Sequence, residues 1–227
     1  VYPRVHSNSS HVAKMAFDYF RTKGYRQFAF YGPENSTRGS YFSEHVQQAG
    51  YQCYLYGERE LSWQDKLAEC KEWLKEQAFP LAVYSWCDHS AASFIDMAKT
   101  LGYHIPHDIA VLGTDNEPLI CNGSAISLSS IDSHLKAVGF RGAEVLDQMM
   151  MSGHVPPHSE MLDPIRTVER ASSDQLAIDS PVVAKSIRYM KQYYPEGINI
   201  ANVIQHVGLS RRGLEKAFMA NFSMSPR

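Results

Sequence analysis

Apolar residues follow two alternating patterns along the first two thirds of the chain. Short continuous apolar runs predict buried strands, at 28–31, 51–56, 81–84, 109–112 and 126–131. Between these runs, apolar residues recur every three or four positions, which predicts amphipathic helices, at 12–20, 40–49, 63–77, 89–101 and 133–151. Regular alternation of strands and helices is typical of an α/β fold with a doubly wound, mostly parallel sheet.

The C-terminal part of the chain shows helical patterns only. A polar segment at 161–180 leads into Pro181, a favourable first residue for a helix. Two further helices are predicted, with apolar positions at Ile200, Val203, Ile204, Val207, Leu214, Ala217 and Phe218. Gly208 permits a tight turn between these two helices, and Ser210 caps the second. The pattern favours a small all-α helix-turn-helix domain, although a plain helical hairpin fits it equally well.

Charge separates the same two parts of the chain. Residues 181–227 contain seven Lys and Arg against two Glu, and the whole chain carries −2, so residues 1–180 carry −7. A basic tail on an acidic body indicates that only the tail meets a polyanion such as DNA. The alternative is a chance cluster of solvated basic side chains.

Composition and motifs exclude several classes of protein. No apolar stretch approaches the roughly 20 residues that span a bilayer, and we find no signal-peptide pattern. Cys53, Cys70, Cys87 and Cys121 lie far apart without a C-x-x-C, which argues against a zinc site or a disulfide framework and suits a reducing cytoplasm. The chain has no G-x-G-x-x-G, G-x-x-x-x-G-K-[ST] or G-x-S-x-G motif. We therefore expect a cytoplasmic protein that is not an enzyme and that holds no cofactor or metal.

Polar residues gather directly after three of the predicted strands. Arg38 follows the first strand, Trp86 and Asp88 follow the third, and Asp115 and Asn116 follow the fourth. Ligands of such sheets bind outside the carboxyl ends of the strands, so these side chains are expected to converge. Carboxylate, amide and guanidinium groups bind hydroxyls, and an aromatic face covers C–H surface, so the set predicts a sugar site. The alternative is that the two aspartates only cap a helix and close a turn.

These residues lie in motifs that are similar to those of a known family. Arg38 stands twelve residues before Gly50, and Trp86-Cys87-Asp88 precedes a helix. Residues 105–116 read Ile-Pro-His-Asp-Ile-Ala-Val-Leu-Gly-Thr-Asp-Asn. Together they resemble the C-terminal lobe of sugar sensors of the lac-repressor and gal-repressor type, apart from Cys87, where many relatives carry Asn.

The resemblance implies a fold and a set of sugar contacts. The fold would be one lobe of a periplasmic-binding-protein-like sensor. The sugar would be bound by Arg38, Asp88 and Asp115 in this family, and we expect Asn116 and Trp86 in the same site.

The last predicted helix resembles that of a second family. Residues 210–218 match the pattern S-x-x-x-L-x-[RK]-x-F of the first helix-turn-helix unit of AraC-type regulators. The resemblance implies that this helix enters the major groove of DNA, where Arg212, Glu215 and Lys216 face the bases. Arg211 would then contact a phosphate. The alternative is that Arg211 and Glu215 form a surface ion pair one helical turn apart.

A sensor and a reader of these two kinds are rarely joined in one chain. The combination, with the stretch Arg170-Ala171-Ser172-Ser173-Asp174, resembles the regulators of xylose operons. It implies a transcription regulator in which sugar binding modulates operator binding, with DNA, a sugar such as D-xylose and a second copy of the chain as partners. A sugar-binding protein without a DNA function is the alternative. The expected domains are 1–160, the sensor lobe; 161–180, a linker; and 181–227, the first part of a truncated AraC-type helix-turn-helix domain.

Overall fold

The computed structural model describes residues 3–153, 159–177, 180–194, 197–222 and 225–226. Within these residues the chain forms two compact units. The first runs over Val1–Arg21 and Arg26–Gln175, and the second over Thr22–Tyr25 and Leu176–Arg227.

The first unit is built on one six-stranded sheet. Its strands are β2 (Gln27–Gly32), β3 (Cys53–Gly57), β4 (Leu81–Ser85), β5 (Ile109–Thr114), β6 (Ser129–Asp132) and β8 (Arg166–Val168). They lie side by side in the order β3-β2-β4-β5-β6-β8. All neighbouring pairs are parallel except β6 and β8, which are antiparallel. The predicted α/β fold with a mostly parallel sheet is thereby confirmed.

Helices connect the strands of this sheet. They are α1 (Ser9–Thr22), α2 (Thr37–Gln48), α3 (Trp63–Lys75), α4 (Asp88–Thr100), α5 (Pro118–Gly123) and α6 (Leu135–Ser152). Helix α2 begins three residues earlier than predicted, because the Ser36 side chain caps it by accepting from the Gly39 N–H. Cys87 caps α4, so Asp88 lies inside its first turn rather than at the cap. In the described part of the chain, no helix is long and apolar enough to cross a membrane.

The core of the first unit surrounds the central strands. Strands β4 and β5 are buried at every position, which explains why they read as continuous apolar runs rather than as alternating ones. Stacked aromatic side chains fill the space between the sheet and helices α3 and α4, where Tyr56 lies 4.9 Å from Trp73 and 5.2 Å from Tyr31 between ring centroids. This packing lies near the carboxyl ends of β2 and β3.

The segment expected to be a linker belongs largely to the first unit. Besides β8, it supplies the end of β7 (Glu160–Leu162), which pairs in parallel with β1 (Val5–Ser7) in a separate two-stranded sheet. A single 3-10 turn at Ala171–Ser173 follows β8. The Ser172 hydroxyl there donates to the Val111 carbonyl at 2.7 Å and accepts from the Ser129 N–H at 2.8 Å. Part of the polar composition of this segment therefore serves hydrogen bonds to buried backbone, as at Ser172.

The second unit contains three helices in its described part. They are α7 (Pro181–Tyr193), α8 (Ile200–Val207) and α9 (Arg211–Phe222). Their shared core contains Val183, Val203, Leu214 and Phe218. Gly208 has a φ of 72° at the end of α8, a backbone conformation that glycine adopts without strain.

Candidate functional site

Arg38 joins two of the turns at the carboxyl edge of the main sheet. It lies in the first turn of α2, and its Nη1 donates to the carbonyl of Trp86 at 2.6 Å. Its Nη2 donates to Oδ1 of Asp115 at 3.2 Å. The two side chains of this ion pair are 16% and 23% exposed, so the pair is largely shielded from water and yet can be reached by a ligand.

The turn that follows β5 holds two consecutive residues in the left-handed region. The φ of Asp115 is 100° and that of Asn116 is 52°. Such values cost non-glycine residues about 1–3 kcal/mol each and persist only where surrounding contacts impose them. Here the Asp115 carboxylate accepts from the Ser133 hydroxyl at 2.6 Å, and the Asn116 N–H donates to Ser130 at 3.0 Å. The strain is therefore balanced by hydrogen bonds with Ser130 of β6 and with Ser133, the residue that follows this strand.

Asp88 supports this turn from inside the protein. Its side chain is buried, and its Oδ2 accepts from the Glu117 N–H at 2.7 Å while Oδ1 accepts from the Ser130 hydroxyl at 2.5 Å. A Cβ on Gly113 would lie 2.2 Å from the same carboxylate, so only glycine permits this approach. Burial raises the pKa of Asp88 to about 6. Both carboxylate oxygens are thus occupied by the protein, whereas Asp115 keeps one oxygen to which no described residue donates.

The ring of Trp86 is held in one orientation. Its indole N–H lies 2.8 Å from both Oε2 of Glu58 and the hydroxyl of Ser90, and Ser90 in turn donates to Glu58. On the other side, a Cβ on Gly32 would lie 2.7 Å from the indole ring. The aromatic face is therefore fixed at the end of β4.

Several residues of this polar network were missed by the sequence analysis. Arg170 donates to the side chain of Asn116 at 2.9 Å, although the sequence predicts a linker at this position. Ser130, Ser133 and Glu58 were also missed. The available signal for Ser130 and Ser133 was the cluster of serines at positions 127, 129, 130 and 133, in and around β6. Nothing in the sequence singled out Glu58.

A cavity of about 430 Å³ lies beside the network, at the carboxyl ends of β2 and β3. Its lining includes aromatic and charged side chains, namely Phe30, Glu34, Tyr56, Arg59, Glu69 and Trp73. None of the five predicted sugar contacts belongs to this lining, although Gly39 of the lining is the neighbour of Arg38 in sequence. In the described residues, no cluster of three His, Cys, Asp or Glu side chains could hold a metal ion.

The four predicted DNA contacts lie on α9 in the second unit. Arg211, Arg212 and Lys216 are exposed, and Glu215 is half-buried. Nε of Arg211 donates to Oε1 of Glu215 at 3.0 Å, which is the surface pair that the sequence analysis held as an alternative. This leaves Arg212 and Lys216 as the exposed cations of the helix outside that ion pair.

Comparisons with known proteins agree with the architecture of the first unit. Over 230 aligned residues the chain is 28% identical to the xylose operon regulatory protein of Escherichia coli K12, with 96% of this chain covered. The protein of the same name from Haemophilus influenzae is 26% identical, again over 96% of the chain. A solved structure of a xylose-binding transcription activator superimposes with a TM-score of 0.64 and 25% identity, covering 96% of this chain and 60% of that one. These names are those of regulators, not of enzymes.

Two further findings concern how much of the relatives the chain covers and which family model it matches. The chain spans 59% of the length of the two regulatory proteins. The family model described as a periplasmic binding protein-like domain matches residues 17–173, a stretch that contains the main sheet and every residue of the polar network at its carboxyl edge. The chain belongs to the periplasmic binding protein-like domain family.

Proposed function

We propose that this chain is the sugar-sensing part of a transcription regulator and that its second unit binds operator DNA. The observation that carries the proposal is the ion pair of Arg38 with Asp115, placed at the carboxyl edge of the sheet on a strained turn. Strain of this kind is concentrated at ligand sites in proteins, and the carboxyl edge is where ligands of such sheets bind.

The polar groups of this edge suit a sugar. Asp115 uses Oδ1 for Arg38 and Ser133, so its Oδ2 is the acceptor offered to a sugar hydroxyl. Trp86 would cover a C–H face of the ring. The relatives named for xylose support D-xylose as the sugar. Asp88, which the family resemblance assigns to sugar contact, would act here by holding the turn.

The sugar site is tested by calorimetry of the intact protein with D-xylose. Because Arg38→Ala and Asp115→Ala each remove a charge-assisted hydrogen bond, each is expected to weaken binding by about 1.5–3 kcal/mol. Arg26→Ala serves as a control, since Arg26 is exposed and precedes the opposite, amino end of β2. Unchanged affinity in both folded variants would remove the pair from the binding site.

The second unit is proposed as a helix-turn-helix reader of the AraC type, acting in a homodimer. Helices α8 and α9 meet at the turn around Gly208, and Ser210 caps α9 by accepting from the Gly213 N–H at 3.1 Å. In this arrangement α9 lies in the major groove with Arg212 and Lys216 towards the bases. The positive charge of residues 181–227 supports contact with DNA.

Sugar and DNA binding would be linked through a shift between two states of the sensor. A ligand moves such an equilibrium only by its differential affinity for the two states. We therefore expect D-xylose to change the operator affinity of the intact protein in a mobility-shift titration. Sugar binding without any affinity for DNA would instead support the alternative, a sugar-binding protein with no DNA function.

A further inference from the structure

The stretch Arg170–Asp174 follows β8 and lies beside the first residues of β6, and from there the Arg170 side chain reaches the turn after β5. Arg170 is anchored through its backbone, because its N–H donates to the Ser129 hydroxyl at 2.8 Å and its carbonyl lies 2.9 Å from the same oxygen. Its guanidinium donates through Nη1 to the Leu128 carbonyl at 2.8 Å and through Nη2 to Asn116 at 2.9 Å. The side chain is therefore held at both ends.

This contact determines which way the Asn116 amide faces. A guanidinium has donors only, so the Asn116 atom that faces Arg170 must be the acceptor, Oδ1. The donor, Nδ2, then points away from Arg170, and no described residue accepts a hydrogen bond from it. Next to it, Asp115 offers an oxygen to which no described residue donates. The turn thus presents one acceptor and one donor on neighbouring side chains.

We propose that Arg170 is a positioning residue for the sugar site, because it holds the Asn116 amide with its donor towards the ligand. The inference rests on the proposed sugar-binding function. A sugar with two neighbouring hydroxyls fits this pair, since one hydroxyl donates to Asp115 and the other accepts from Asn116. Arg170 itself need not touch the sugar, and its effect on affinity passes through Asn116.

A double-mutant cycle on the intact protein tests this, with D-xylose titrated in a calorimeter. Arg170→Met keeps the length of the side chain without its donors and is expected to weaken binding about tenfold, the loss of one hydrogen bond. Asn116→Ala is expected to weaken it to a similar degree. If Arg170 acts through Asn116, the double variant binds as Asn116→Ala alone does. Arg166→Ala is the control, because Arg166 is an exposed arginine on the adjacent β8.

Two conservative variants separate positioning from a structural role. Arg170→Lys retains a donor for Oδ1 and is expected to recover part of the lost affinity. Asn116→Asp keeps the acceptor for Arg170 but replaces the outward donor by an oxygen, so it should lose affinity as Asn116→Ala does. If Arg170→Met fails to fold, Asn116→Asp still tests the use of the donor, and Arg170→Lys, alone and combined with Asn116→Ala, tests the positioning.

The outcomes that overturn the inference differ from those that overturn the proposed function. If Arg170→Met weakens sugar binding by the same factor in the wild type and in Asn116→Ala, Arg170 does not act through the amide. Wild-type affinity in Asn116→Asp would mean that the donor is not used. Either result leaves sugar binding intact. If the wild-type protein binds none of D-xylose, L-arabinose and D-ribose, the proposed function fails and the role of Arg170 fails with it.

Discussion

Replacing Asp88 by asparagine is expected to change how the stability of the first unit depends on pH. The side chain is 2% exposed, and its two oxygens accept from the Glu117 N–H and the Ser130 hydroxyl. Asparagine has the same shape but only one acceptor. If that acceptor keeps Glu117, the amide NH₂ faces the Ser130 oxygen, which already accepts from the Asn116 N–H. Compared with the wild type in which Asp88 is protonated, the variant is therefore expected to be about 1 kcal/mol less stable, the value of one hydrogen bond.

The charge of Asp88 acts in the opposite direction. Burial raises the pKa of Asp88 to about 6 in the folded protein, against about 3.9 in the unfolded chain. The folded state therefore binds the proton more tightly, and the stabilisation that this gives is complete below about pH 4 and is lost as the pH rises through 6. The difference between the two pKa values corresponds to about 3 kcal/mol, of which about 2 kcal/mol is lost between roughly pH 4.5 and 7.5.

Asp88→Asn removes this titration. By these figures we expect the variant to be about as stable as the wild type at pH 4.5 and about 2 kcal/mol more stable at pH 7.5. Urea unfolding followed by tryptophan fluorescence measures this, because Trp63, Trp73 and Trp86 all lie in the first unit. Asp96→Asn, at an exposed position of the same helix, is the control. A constant difference between variant and wild type across this pH range would refute the reasoning.

Further predictions concern the second unit. Arg212→Ala is expected to lower operator affinity by about 1–3 kcal/mol and to relax preference at one base pair, whereas Arg211→Ala should weaken operator and random DNA alike. Fluorescence anisotropy on both DNAs measures this, and equal losses in Arg212→Ala would identify it as a phosphate contact. Gly208→Ala is expected to destabilise this unit by about 1 kcal/mol, because its φ is 72° and nothing lies within 4 Å of the added Cβ. An unchanged thermal midpoint in circular dichroism would contradict that.

The sequence predicted the main strands and helices because each carries its own periodicity. Strands β4 and β5 are buried on both faces, so their apolar runs were visible without any knowledge of their neighbours. Strand β8 is different, since its three residues Arg166–Val168 are polar at two positions and exist as a strand through pairing with β6. The periodicity that predicts a helix or a long strand can be recognised within the segment itself. An edge strand of three residues has no such periodicity, and only its pairing with β6 identifies it.

The same distinction explains which parts of the candidate site could be predicted. Arg38 and Asp115 were found because the ends of parallel strands lie at one edge of a sheet, a rule that needs only the order of elements. Arg170 contacts Asn116 across 54 positions of sequence, after an antiparallel strand that the periodicity does not reveal. Its contact with Asn116 depends on the chain returning to the sheet after β8, which is a matter of tertiary packing and leaves no local pattern in the sequence.

Asp88 and Asp115 show why residue type and position alone do not assign a role. Each follows a buried strand, and the sequence offered the same two interpretations for both, a sugar contact or a cap. Asp88 lies under the turn, where its carboxylate is surrounded by donors and its pKa is raised by burial. Asp115 lies on the turn, where Arg38 and Ser133 share one oxygen and leave the other unoccupied by described residues. A ligand can use only the second arrangement without breaking the hydrogen bonds that keep the turn in place.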